Sequence, residues 1–291
     1  MKELESLLDA LAARPFETAV LVTLEKLEGS GYRKAGAQMV IADDGWSCGS
    51  VSGGCIEALV HEQARRTIAS GGAQTVEIDT TSDADLLFGS GLGCPGRLQF
   101  TFEPFRREEL ATRFGAVKES LARREHPACP IALHIFGAGN DAIPLVAIAH
   151  ILQWKTHVYD ARAAFLSRDR FPEPSRLMRM RPEPVELDAR SAAVVTTHNY
   201  FLDLDWLREM LVTDVHVIAL VGSRKRFTMM AEVLESEGFD VSRLRGPAGL
   251  DIGSETPAEI ALSIVAEVQA VFSERDARPL SLRFEEPAVR T

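Results

Sequence analysis

The stretch from Ile131 to Asp160 constrains the fold of this chain more than any other. A short apolar run, Ile131 to Phe136, meets Gly137-Ala-Gly139-Asn140-Asp-Ala142, a helical pattern follows over Asp141 to Leu152, and a second apolar run, Thr156 to Tyr159, ends at Asp160. A strand, a glycine turn, a helix and a second strand in this order form a βαβ unit, whose crossover requires the two strands to be parallel. The turn meets the context that the dinucleotide fingerprint needs: glycines between strand and helix, and an acidic residue, Asp160, 23 positions after Gly137, where it would meet a ribose hydroxyl. The plainer alternative is a glycine turn that only packs helix on strand.

Further apolar runs at Ala192 to Val195 and Val215 to Val221 alternate with helical or connecting segments, the pattern of a parallel sheet covered on both faces. The fold class expected is α/β, with a C-terminal Rossmann-like, doubly wound parallel sheet over residues 131–273. Arg168 to Pro184, rich in proline and arginine, reads as an irregular crossover in place of a helix. Thr256-Pro-Ala-Glu259 supplies an N-cap, a first-turn proline and a capping-box acid for a last helix. Two more loops leave the edge of the sheet where such folds bind ligands: Thr196-Thr-His198-Asn199, and Gly222-Ser223-Arg224-Lys225-Arg226. The candidate cofactor-binding residues of this half are therefore Gly137, Gly139, Asn140, Asp160, His198, Gly222, Ser223 and Arg224. His198 would orient a ligand or shuttle a proton, or serve only the loop; Lys225 and Arg226 read equally well as a solvated helix start.

Residues 1–105 read as a mixed α+β domain: a helix near residues 5–13, strands at Thr18 to Leu24, Gln38 to Ala42, Thr75 to Asp79 and Arg97 to Phe102, and a helix from Ile56 that ends at Gly71-Gly72. Two glycine loops carry cysteines, Gly49-Ser-Val-Ser-Gly53-Gly54-Cys55 and Gly89-Ser-Gly-Leu-Gly-Cys94-Pro-Gly96. Cys55 precedes a helix N-terminus, where backbone N–H groups lower a thiol's pKa and attract anions, which adds Gly53 and Gly54 to the candidate cofactor-binding residues. Cys55 and Cys94 are candidate thiols; packing is the competing role for both and the preferred one for Cys48 and Cys129. Residues 106–130 read as a helical linker and 274–291 as a charged tail.

With a net charge of −10, broad contact with a nucleic-acid backbone is not expected. The start, Met1-Lys-Glu-Leu-Glu-Ser, lacks the layout of a secretory signal, and no apolar run approaches the length of a membrane span, so the expected location is cytoplasmic. The cysteines form no CxxC pair, so neither a zinc ribbon nor a thioredoxin-like site is expected.

The order of these motifs resembles the XdhC/CoxI family of xanthine dehydrogenase accessory proteins. The resemblance rests on Gly29-Ser with Gly36-Ala, Ser52-Gly-Gly-Cys-Ile-Glu57, Asp79-Thr, Asp85-Leu-Leu-Phe-Gly89, Gly91-Leu-Gly-Cys94 and Glu103-Pro104. In the second half it rests on Ile135-Phe-Gly-Ala-Gly139, Asp160-Ala-Arg162, Thr197-His198, Val221-Gly-Ser-Arg-Lys225 and Gly249-Leu-Asp-Ile-Gly253. It implies a chaperone that binds the molybdenum cofactor (molybdopterin or its dinucleotide form), protects it while a cysteine desulfurase supports its sulfuration, and delivers it to a xanthine dehydrogenase-type molybdenum hydroxylase. It also implies a homodimer. On this reading Cys55 and Cys94 are the candidate contacts to the cofactor's molybdenum. Two departures stand out: Pro95 where the family usually has glycine or asparagine, and Asn140-Asp-Ala142 where it more often has His-Val-Gly. The second puts the charge of Asp141 near the phosphate position and weakens the case for ordinary NAD binding. The alternative function is an NAD(P)-dependent oxidoreductase using the Rossmann-like half.

Overall fold

The structure, a computed structural model, describes residues 4–29, 32–54, 56–79, 96–112, 114–115, 130–171, 176–179, 185 and 187–285. The chain divides into two compact units, Met1–Cys129 and Pro130–Thr291. Among the described residues, no helix is long and apolar enough to cross a membrane.

The first unit contains helix α1 (Leu4–Ala12), strands β1 (Thr18–Gly29), β2 (Gln38–Ala42) and β3 (Ser47–Gly49), helix α2 (Glu57–Ser70), and strands β4 (Gln74–Asp79) and β5 (Gly96–Arg106). The strands form one antiparallel sheet in the order β3-β2-β1-β5-β4. Side chains alternate across a strand, so the near-continuous apolar run that starts β1 implies that both sheet faces are covered. They are: Val20, Val22 and Leu24 pack with Val60 and Ala64 of α2, whereas Ala19 and Leu21 pack with Leu7, Leu8 and Leu11 of α1. Helix α2 ends at Gly71, whose left-handed conformation (φ 71°) closes the C-cap. Strands β1 and β5 run well past the limits read from sequence, pairing as far as Gly29 with Gly96 across an irregularity at Leu24 and Lys26.

The second unit contains β6 (Ala132–Phe136), α3 (Ala142–Ile151), β7 (Lys155–Asp160), β8 (Arg176–Arg179), β9 (Ser191–Val195), α4 (Tyr200–Leu211), β10 (Val217–Leu220), α5 (Arg224–Ser236), β11 (Leu244–Arg245) and α6 (Pro257–Phe272). All strand pairs are parallel and the order is β11-β10-β9-β6-β7-β8. Numbered from β6, this is the 3-2-1-4-5-6 order of the doubly wound dinucleotide-binding folds. One face is covered by α3 and α6, with Leu145, Val146, Ile264 and Val265 on β6 and β9; the other by α4 and α5, with Leu207, Met210, Met230 and Leu234. Thr256, Pro257 and Glu259 form the expected capping box of α6.

The segment expected to be an irregular crossover contains β8, a four-residue strand at the sheet edge. Its Arg-Leu-Met-Arg sequence lacks the buried apolar run of an inner strand: Arg176 and Arg179 are exposed and Leu177 and Met178 half-buried, as a strand with one unpaired edge allows. The two-residue β11 is too short to carry a pattern of its own. Most of the 106–130 linker lies outside the described residues.

Candidate functional site

From the neighbouring strands β6 and β9 the chain departs toward opposite halves of the sheet, and the crevice between their C-terminal ends is where ligands bind in open parallel sheets. Gly137 makes the crevice. Its φ of +116° is one that L side chains rarely adopt, and a Cβ there would sit 2.4 Å from the Thr196 carbonyl oxygen. Only glycine lets the turn after β6 and the loop after β9 come this close. The Gly137 N–H donates to the carbonyl of Tyr159 at 2.8 Å, tying the turn to β7 as well.

Asp160, at the end of β7, has a buried carboxylate that is fully engaged. Oδ2 accepts the Ala138 N–H at 2.8 Å and Arg162 Nη2 at 2.7 Å; Oδ1 accepts the Arg162 N–H at 2.8 Å and Nε at 2.9 Å. Burial pushes its pKa up, but the hydrogen bonds from Arg162 and the backbone outweigh it and hold the carboxyl below its ordinary value. Asn140 accepts a longer contact from Arg170 Nη2 at 3.4 Å, and the same nitrogen donates to the Ala138 carbonyl at 3.1 Å. The N–H groups of Gly139 and Asn140 have no partner among the described residues, so the turn retains donors for an anion at the start of α3.

Across the crevice, His198 adopts a left-handed conformation (φ 59°) and places Nε2 2.9 Å from Asp141 Oδ2, which Thr196 Oγ1 also approaches at 3.4 Å. The negative charge at Asp141 is thus paired with a histidine of the opposite loop rather than left facing the turn. Asn199 caps α4 by accepting the Leu202 N–H at 3.1 Å. Beneath this loop lies Asp203, fully buried, which accepts from the Thr197 hydroxyl and from Arg226 Nη2, the latter at 2.6 Å. Burial raises the Asp203 pKa, and the Thr197 bond and the Arg226 charge offset that only in part. Arg226 is therefore a structural partner that joins the loops after β9 and β10. Gly222, Ser223 and Arg224 stand exposed at the tip after β10, with Ser223 capping α5 through the Arg226 N–H at 3.3 Å.

Sequence reasoning missed Asp203, Arg170 and the role of Arg226. Asp203 had a signal: it stands four and seven positions before Leu207 and Met210, on the buried side of an amphipathic helix. Arg170 had none.

The candidate residues Gly53 and Gly54 belong to the other unit. Their loop is organised by Glu57, in the first turn of α2. Its carboxylate accepts from the Ser50 hydroxyl at 2.8 Å, from the Ser52 hydroxyl, and from the Ser52 N–H at 3.3 Å, and Ser52 Oγ in turn accepts the Gly54 N–H at 3.1 Å. Gly54 is left-handed (φ +106°). Cys55 and Cys94 lie outside the described residues; Cys48 is a half-buried free thiol of β3.

Residues 133–268 match the family model described as the XdhC Rossmann domain, and residues 12–79 match that of the XdhC and CoxI family. The chain belongs to the XdhC/CoxI family. Among its relatives is a Bacillus subtilis (strain 168) protein named as a probable xanthine dehydrogenase subunit, 29% identical, with 92% of this chain and 97% of the relative covered. Another is the molybdenum cofactor insertion chaperone PaoD of Escherichia coli (strain K12), 24% identical, with 87% and 83% covered. A crystal structure described as a xanthine dehydrogenase from Bacillus halodurans superposes with a TM-score of 0.82 at 25% identity, over 97% of this chain and 99% of that one.

Proposed function

We propose that this chain is a molybdenum cofactor chaperone for a xanthine dehydrogenase-type hydroxylase. It takes the cofactor as cargo, shields it while a cysteine desulfurase partner supports exchange of an oxo for a sulfido ligand, and passes it to the apo-hydroxylase in the cytoplasm, working as a homodimer. The observation that carries the reading is the crevice at Gly137: a turn held from three sides, with the Gly139 and Asn140 N–H groups open to an anion such as the cofactor's phosphate. The relative named for cofactor insertion supports it. On this reading Cys55 and Cys94 are the candidate thiols for the cofactor's molybdenum.

A nicotinamide oxidoreductase is the competing reading, favoured by the strand order alone. Against it stands Asp160, whose oxygens are taken up by Arg162 and Ala138 rather than offered to a ribose diol.

Anaerobic incubation with molybdenum cofactor, desalting, and quantification of bound molybdenum and pterin tests the proposal. Retention of both near one per chain is expected, and clear NADH binding without any retention would transfer the assignment to the oxidoreductase. Cys55→Ala and Cys94→Ala are expected to retain the fold but lose activation of the apo-hydroxylase; full activation by both variants would end the cysteine role.

A further inference from the structure

The chaperone reading leaves the arginines at the β7 end of the crevice without a task. Arg162 is pinned by its bidentate pair with Asp160, yet its side chain is 54% exposed, and its guanidinium lies 4.0 Å from the centre of the Phe165 ring. Arg170, held by Ala138 and Asn140 of the glycine turn, lies 5.1 Å from the same ring. Its buried Nε has no partner among the described residues. Arg179, exposed at the end of β8, is the register partner of Asp160. Three arginines thus gather at one end of the crevice, in a protein whose overall charge is −10.

We propose that the β7–β8 end of the crevice is a phosphomonoester site, where Arg162 and Arg170 hold the terminal dianionic phosphate of a pterin ligand. The proposal rests on the chaperone reading and adds to it the form of the cargo. Asp160 uses two of the five guanidinium N–H donors of Arg162, leaving the others to the crevice. A planar guanidinium matches phosphate geometry with paired hydrogen bonds, which an ammonium cannot do. Both cations are ordered beforehand, Arg162 by Asp160 and Arg170 by the turn, with Phe165 beside each, so binding orders little that is not already fixed. The Gly139 and Asn140 N–H groups stand on the same turn that Arg170 grips. Cofactor extended by a nucleoside would bring a ribose diol to a carboxylate whose oxygens are already engaged. The form that ends in a phosphate is therefore preferred over the dinucleotide form.

The test uses the full-length protein and two fluorescent probes: the oxidised, metal-free pterin phosphate prepared from the cofactor, and the same compound after phosphatase treatment. Fluorescence anisotropy is expected to show the phosphorylated probe binding at least about thirtyfold tighter, the scale of one or two hydrogen bonds to a charged group. Arg170→Met and Arg162→Lys should each cut that preference to a few-fold; Arg162→Lys retains a charge beside Asp160, and unfolding midpoints establish that both variants are folded. Equal binding of the two probes by the wild type, or an undiminished preference in both variants, overturns the site. Retention of the intact cofactor without phosphate preference would remove the site alone. Retention of neither cofactor nor probe would remove the chaperone reading and the site with it.

Discussion

Gly137 and Glu57 each show how one residue sets the shape of a loop. At Gly137 a methyl group would meet the Thr196 carbonyl at 2.4 Å in a backbone conformation that alanine disfavours. Gly137→Ala is expected to cost about 2–3 kcal/mol, the scale of a strained backbone position, and to separate the turn from the 196–199 loop. Urea unfolding monitored through the tryptophans would measure it, and an unchanged midpoint would show that the two loops can part without penalty. Glu57 predicts a pH effect. Burial pushes its carboxyl up, but bonds from Ser52 and Ser50 more than offset this, so its folded pKa lies below its ordinary 4.5. The stability those bonds supply is fully present above pH 4.5 and is lost as pH falls through the lower folded value. Glu57→Gln should therefore be less stable than wild type near neutrality, with the gap in urea midpoint closing as the pH is lowered. Asp160 acts in the same direction, whereas Asp203, whose pKa is raised by burial, acts in the opposite one.

Helix caps and short strands mark the limits of what the sequence discloses at the level of elements. For α6, Thr256, Pro257 and Glu259 carry their meaning locally: the Glu259 N–H donates to the threonine hydroxyl at 3.3 Å, and the Thr256 N–H donates to the Glu259 carboxylate at 2.8 Å. Thr256→Ala should cost about 1 kcal/mol, read as a lowered urea midpoint at unchanged slope. The unit β6–turn–α3–β7 was legible for a similar reason, since the glycine turn and the apolar runs are contiguous in the chain. Strand β8 was not, because among the described residues Arg176–Arg179 pairs only with β7, and its register is fixed by the sheet rather than by its own pattern. The crevice divides along the same line. Gly137, Asp160 and His198 carry sequence signals, but the hold of Asp160 on the turn at Ala138, the grip of Arg170 on that turn, and the tie of Arg226 to the buried Asp203 arise from contacts between segments well apart in the chain. A carboxylate read as a ligand for ribose and one that anchors a turn look alike until their partners are in place.

For the molecule as a whole, the cores decide how its parts can be separated. Among the described residues, the two hydrophobic clusters of the Pro130–Thr291 unit are built from its own residues, and those of the Met1–Cys129 unit likewise from theirs. Among the described residues, the strands of each sheet all come from one unit. A segment with a closed core and no open demand on another chain segment folds as a unit. The 130–291 fragment is therefore expected to unfold in one cooperative transition. The donors assigned to the pterin phosphate, Arg162, Arg170, Gly139 and Asn140, all lie within it, so it should bind the phosphorylated probe within about threefold of the full chain, a difference of roughly 1 kcal/mol or less. It should fail to activate an apo-hydroxylase, because the loops of Cys55 and Cys94 are absent. Calorimetry, anisotropy and the activation assay read the three outcomes separately. A fragment that folds but has lost the probe would mean that the first unit supplies part of the phosphate site; one that binds and also activates would mean that the cysteine loops have no part in delivery.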